Sequence, residues 1–547
     1  MKEIKITFYK KISPFLSYFF LIIFAFLSIL IIYKGYPGDA YENIVGGWFI
    51  TKGLVLYKEQ FATRAPLMYY FAGFVHFTLG MKIIYFRIFL LLIYLTLSFY
   101  LSFFLRKSIK NAFLFSLIFF PLSVKFFHSQ TFLADNLLAF CLLGLLVVFF
   151  QFWGRKKFLI KLKLLIAVLI FMAVNSSSIA AIPVGILLFF SLIQDIFMVK
   201  EKVIVVVRKY LFFLLPTLIF PFYFFIKGGL SDFLWTMFNY SQHYFLNRIG
   251  EPHEVRYGRL GFWYRLVSNF GEYLVSSSTE LFNSIWIFFM ALRFFNPTLF
   301  YKTQQGFIDW QDFISKYLNY IFVIISEFYK NIFAFEMIIF LAYLSFVVYL
   351  IKRKKTLFGL FFVFFMMGLR SRDNEIFHLA PFYLVGYWVL SYLFFKTFKF
   401  KKQGNKRSLV ENLIGYLSAS LIIGLIFNLF PSYMLFSRSN NPIVREDIVQ
   451  RARLIRENSG KNDKIWIARG NPAYYMLSDR LPVTKYYFYF PFVYKVKKIR
   501  TKAREELIGN QPEIIYTQEE AVYFVREVFE NLEDNYYELE KNLFIKY

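Results

Sequence analysis

Apolar runs of about twenty residues, the length a helix needs to cross a hydrocarbon core, alternate with short clusters of lysine and arginine from the start of the chain to residue 436. The first run, Pro14 to Tyr33, follows Lys2, Lys5, Lys10 and Lys11, so its basic end is expected in the cytoplasm. Lys34, Gly35, Tyr36 and Pro37 offer no small-residue cleavage site, so an uncleaved first helix is expected. Further runs are expected at 81–105, 113–127 and 132–153, then as a pair within 164–197 broken by Asn175-Ser-Ser-Ser178, and at 210–226. After a long region come 332–351, 357–369, 379–395 and 413–436. This makes eleven spans, or thirteen if the shorter runs at 281–295 and 313–328 also cross, and every strongly basic loop then falls on one side.

Two segments break the pattern. The loop 34–80 contains two apolar stretches too short to span, Ala40 to Thr51 and Pro66 to Leu79, which are expected to lie along the membrane interface. After Ser437 charged and apolar residues alternate at helical spacing through Glu457; Lys464-Ile-Trp-Ile-Ala468 and Ile514-Ile-Tyr516 then read as short buried strands separated by helix. The expected architecture is an α-helical polytopic membrane protein, residues 1–436, with a small extracytoplasmic α/β domain at 437–547.

Composition agrees. Hydrophobic residues make up 58% of the 547 and aromatic residues 23%, more apolar surface than a soluble domain carries. The net charge of +28 comes from basic residues scattered between apolar runs, so it sets topology and argues against a nucleic-acid partner. The single cysteine, Cys141, excludes an intrachain disulfide and a cysteine metal cluster.

Candidate chemistry concentrates in the first loop. Asp39 and Glu42 are three residues apart, which puts both carboxylates on one face of a helix if Asp39 opens it. The same spacing also suits a capping box, with Glu42 reaching back to the helix start. Arg64 offers a fork to phosphate oxygens or an anchor at headgroup depth. Asp135, at the start of an apolar run, would be costly in lipid without a partner and is expected to face protein or water as a supporting residue. A charged stretch, Arg370-Ser-Arg372-Asp-Asn-Glu375-Ile-Phe-His378, precedes a later membrane helix.

The pattern Gly38-Asp-Ala-Tyr-Glu-Asn43, then Gly53-Leu-Val-Leu-Tyr57 and Thr63-Arg-Ala-Pro-Leu67, resembles the first external loop of the GT-C membrane glycosyltransferases, particularly the protein O-mannosyltransferase and lipid A aminoarabinose transferase branch. The resemblance implies Asp39 as the catalytic carboxylate, Glu42 as its partner, Tyr41 in support, and Arg64, Arg370, Arg372 and His378 around the donor phosphate. Arg64 stands where that branch carries lysine and Ala65 where it carries proline, and Ala173-Val-Asn-Ser-Ser-Ser178 replaces a lysine-bearing stretch. The implied activity is inverting transfer of a sugar from a polyprenyl-phosphate donor to a lipid, glycan or protein acceptor on the external face of the plasma membrane. No cofactor is required by that chemistry; two carboxylates would also suit a divalent metal, which the sequence leaves open. A polytopic transporter would instead place charges at mid-membrane and show repeated halves; a surface-glycan polymerase or ligase shares the donor class.

Overall fold

The computed structural model describes residues 2–35, 38–153, 159–200, 202–238, 240, 274–277, 335–353, 355–369, 376–397, 409–439, 442–487, 496–519, 522–529 and 532–547. The runs at 281–295 and 313–328, and the residues Arg370 and Arg372, lie outside this set. Helix α1 (Lys2–Ile32) leads to two short helices, α2 (Ala40–Thr51) and α3 (Leu67–Leu79), then to α4 (Ile83–Phe104), α5 (Lys107–Leu122), α6 (Val124–Phe127) and α7 (Ala134–Phe152). Helices Ile160–Ser176, Ala181–Ile193, Val203–Leu214 with Ile219–Ile226, Phe335–Lys352, Thr356–Leu369, Ala380–Thr397 and Leu409–Arg438 follow. Each expected run outside 281–328 therefore coincides with helix. Among the described residues, six helices are long and apolar enough to cross a membrane.

Side-chain placement is that of a lipid-solvated bundle. Helix α1 exposes Phe15, Phe19, Ile22, Phe26 and Ile29 along one stripe while burying Phe20, Phe24 and Ile31. Helix α7 is buried at nearly every position, as expected of a helix apolar all round at the centre of a bundle. The protein is a polytopic α-helical membrane protein.

Contacts between helix termini sort the loops into two groups. At one end, Arg87 at the start of α4 donates to the carbonyls of Ile32, Lys34 and Gly35 at 2.6–2.8 Å, satisfying the C-terminus of α1. Lys34 reaches the Ser439 carbonyl after the last long helix, and Lys58 reaches that of Lys227. At the other end, Gln151 joins the end of α7 to Phe104 and Arg106, and Lys355 lies over the Phe150 ring. Arg106 and Lys355 thus lie at this second end.

The C-terminal domain contains helix Glu446–Glu457, which buries Ile448, Ala452 and Ile455, and a five-stranded sheet. Strands β1 (Lys464–Ile467), β2 (Leu481–Pro482), β3 (Ile514–Tyr516), β4 (Tyr536–Glu540) and β5 (Leu543–Lys546) run in the order β2-β1-β3-β5-β4. The first three are parallel, and β5 is antiparallel both to β3 and to its hairpin partner β4. Strand β4 exposes four of its five residues, so it lacks the alternation by which a strand is read from sequence.

Helix α2 is covered by protein on all sides: every residue from Ala40 to Phe49 is buried. Gly46 and Gly47 let α3 approach closely: a Cβ at Gly47 would come within 2.4 Å of the Ala72 Cβ and 2.5 Å of the Gly73 nitrogen. The C-terminal domain covers another side, with Phe49 edge-on to Tyr487 at 4.7 Å between ring centres and to Tyr475 at 5.8 Å. Gly47→Ala is expected to cost about 1–3 kcal/mol, read as a lower thermal-unfolding midpoint of the detergent-purified protein. Gly185→Ala, whose new Cβ meets nothing within 4 Å, serves as the control.

His76 locks the same helix pair, with Nε2 2.8 Å from the Ile44 carbonyl of α2. Burial lowers the imidazole to about 4 despite that carbonyl, whereas an unfolded chain holds it near about 6.5. The unfolded state therefore takes up the proton first as pH falls, so this contribution is complete above pH ~6.5 and is lost toward pH ~4, by up to about 3 kcal/mol. His76→Gln is expected to flatten the fall of the unfolding midpoint across that window.

Candidate active site

The site begins at a turn. Gly38 has φ +49°, and its carbonyl accepts the Tyr41 amide at the opening of α2. Asp39 occupies the position before the helix, but its backbone is already helical and its side chain makes no capping bond. The expected capping box is not formed, because both carboxylates are drawn to Arg64. Its Nη2 donates to Asp39 Oδ2 at 3.1 Å, and its Nε lies 3.1 Å from Glu42 Oε2.

The two carboxylates have different surroundings. The Glu42 side chain is 2% exposed and the Asp39 side chain 48%. Glu42 Oε1 accepts from the Tyr69 hydroxyl at 2.6 Å, the Thr63 hydroxyl at 2.7 Å and the Thr63 amide at 3.2 Å. It thereby ties α2 to the segment entering α3, and with Arg64 it forms a buried charge that is paired and hydrogen-bonded. The Tyr57 hydroxyl donates to the Arg64 carbonyl at 2.7 Å, from a residue with φ +67°. Burial opposes the charge on Arg64, but Glu42 and then Asp39 outweigh it and hold the guanidinium above its usual value. Burial, and next the Glu42 charge, raises the Tyr69 hydroxyl, keeping it a donor. Tyr41 is buried in the core beneath this turn.

A second pair sits at the same end of the bundle. Asp135, in the first turn of α7, has Oδ2 2.9 Å from His378 Nδ1, which lies in the short turn Ile376–Leu379, and both are buried. Asp135 thus has a protein partner, as its position in an apolar segment demands. The loop entering α7 links the two groups. His128, with φ +47°, accepts through its carbonyl from the Thr131 hydroxyl and Asn136 Nδ2, and Asn43 of α2 donates to the Phe132 carbonyl at 3.4 Å. Burial lowers the His128 imidazole while the Asp39 charge opposes it, so His128 stands in the field of Asp39.

Asp39, Glu42 and Arg64 are therefore brought together, and Asp135 and His378 form a pair close by; Arg370 and Arg372 fall outside the described residues. His128 and Glu336 are the residues that reading the sequence passes over. Glu336 accepts from the Tyr383 hydroxyl at 2.8 Å, at the start of helix Phe335–Lys352. A lone carboxylate opening an apolar helix was the available signal for Glu336, and a polar His-Ser-Gln break between apolar runs the signal for His128. The C-terminal domain closes over the loop: the Phe61 amide donates to the Lys485 carbonyl at 2.8 Å and Lys52 pairs with Asp479 at 2.8 Å. Among the described residues no three His, Cys, Asp or Glu side chains gather as a metal-ligand set.

No family model and no curated protein matches the sequence. Among solved structures, the crystal structure of the Archaeoglobus fulgidus oligosaccharyltransferase in its apo form aligns over 91% of this chain and 69% of its own, with 10% identity and a TM-score of 0.49.

Proposed function

We propose that the protein is a membrane glycosyltransferase that moves a sugar from a polyprenyl-phosphate donor to a hydroxyl-bearing acceptor at the end of the bundle where α2 and α3 lie. The observation that carries the reading is the division between the two carboxylates. Asp39 is half exposed and oriented by a cation, whereas Glu42 is buried and holds that cation in place. A carboxylate so placed accepts the acceptor's proton as its oxygen attacks the anomeric carbon. The bond from that carbon to the phosphate breaks on the opposite side, inverting the centre, and the phosphate departs with the bonding electrons.

In this reading Asp39 is the general base and Arg64 chiefly positions it, since both its carboxylate neighbours already engage the guanidinium. Glu42, Tyr69 and Thr63 fix Arg64. The phosphate is met by His378, oriented by Asp135, and by Arg370 and Arg372 of the segment before it, with the cations stabilising the charge that develops on leaving. The basic ends of the helices then face the cytoplasm, and the site and C-terminal domain face outward.

The test supplies membranes containing the protein, and matched membranes lacking it, with radiolabelled polyprenyl-phosphate sugars. Products are separated into lipid, glycan and protein fractions. Label appearing in one fraction only when the protein is present supports the reading and names the acceptor class. Equal label in both preparations for every sugar tried sinks it.

A further inference from the structure

The C-terminal domain carries a helix face of exposed cations. Helix Lys497–Asn510 buries Ile499, Ala503 and Leu507, and that spacing leaves Lys497, Lys498, Arg500, Lys502 and Arg504 exposed. Among the described residues, no ion pair engages Lys497, Lys498, Arg500 or Lys502. The nearby Glu506 is occupied by the Thr484 hydroxyl at 2.6 Å and the Lys485 amide at 3.0 Å. The arrangement also runs against helix electrostatics. Cations crowd the positive end of the macrodipole, and no acidic residue lies in the first turn to offset them.

This face starts beside the segment that follows a helix long and apolar enough to span. Lys498 Nζ lies 4.9 Å from the centre of the Trp235 ring, and Lys485 Nζ lies 3.4 Å from Asp232 Oδ1. Both partners belong to the segment that directly follows Ile219–Ile226, the last part of a helix long and apolar enough to span. Leu234 and Phe238 of that segment are exposed beside Trp235, a composition suited to headgroup depth. We propose that the basic face of Lys497–Asn510 docks on anionic phospholipid headgroups of the membrane that the helices cross, holding the C-terminal domain down over the first loop. The proposal rests on the membrane architecture and is independent of the sugar-transfer reading.

The experiment places the full chain in nanodiscs of phosphatidylcholine, with or without phosphatidylglycerol, and follows acetylation of individual lysines by mass spectrometry. Lys497 and Lys502 are expected to react on the order of five-fold more slowly when phosphatidylglycerol is present, with high salt restoring the rate. Lys461, exposed on the same domain, should react equally in both. In the triple variant Lys497→Gln, Arg500→Gln, Lys502→Gln, which alters only exposed positions, the difference at Lys498 between the two disc types should vanish. Equal acetylation of the wild-type face in both disc types overturns the proposal. So does equal protection by inorganic phosphate in pure phosphatidylcholine discs, which would make the face a site for free phosphate.

Discussion

Asp39→Asn is expected to lower sugar transfer on the order of 10²- to 10⁴-fold, the range over which a positioned general base contributes, while the protein accumulates normally. The amide has the shape of the carboxylate but cannot take the acceptor's proton. Folding should survive, because the ion pair removed involves a side chain that is 48% exposed, and exposed pairs contribute about 0–1 kcal/mol. Arg64 also keeps its contact with the buried Glu42. The measurement is the initial rate of label transfer at matched protein levels in membranes. Transfer at the wild-type rate would remove Asp39 as the base.

Glu42→Ala is expected to act on the fold, and strongly. It strands a guanidinium that is mostly buried and leaves the Tyr69 hydroxyl, the Thr63 hydroxyl and the Thr63 amide without their shared acceptor. Breaking a buried pair by removing one partner costs about 3–5 kcal/mol, enough to deplete the protein or sharply lower its unfolding midpoint. Glu42→Gln, which retains an acceptor oxygen and the volume, should fall between the two. Should Glu42→Ala accumulate with an unchanged midpoint and yet transfer no sugar, Glu42 would belong to the reacting groups and not to the scaffold.

The physical difference between the two carboxylates does not lie in their spacing. By local pattern alone Asp39 and Glu42 look alike, two carboxylates in one turn that suit a capping box, and only the family resemblance singles out Asp39. The cap is not formed because Arg64, a distant residue in sequence, attracts both side chains. The burial of helix α2 has a related origin: Gly46 and Gly47 admit α3 while Tyr475 and Tyr487, from the far end of the chain, cover Phe49. Long-range covering of this kind leaves no periodicity in the helix that is covered. The pairing of Asp135 was legible as a need for a partner, whereas the identity of that partner, His378, was not.

The sequence by itself determined the membrane class and the helical runs, since hydrophobic length acts locally along the chain. It also indicated strands β1 and β3, though not the exposed strand β4. Only the tertiary structure decided which carboxylate is exposed and which is buried, that Arg64 serves both, and that the C-terminal domain sits on the loop carrying them. Burial and ion pairing depend on which distant segments meet, and side chains three residues apart in one helical turn acquire different chemistry from the neighbours that the fold brings to each.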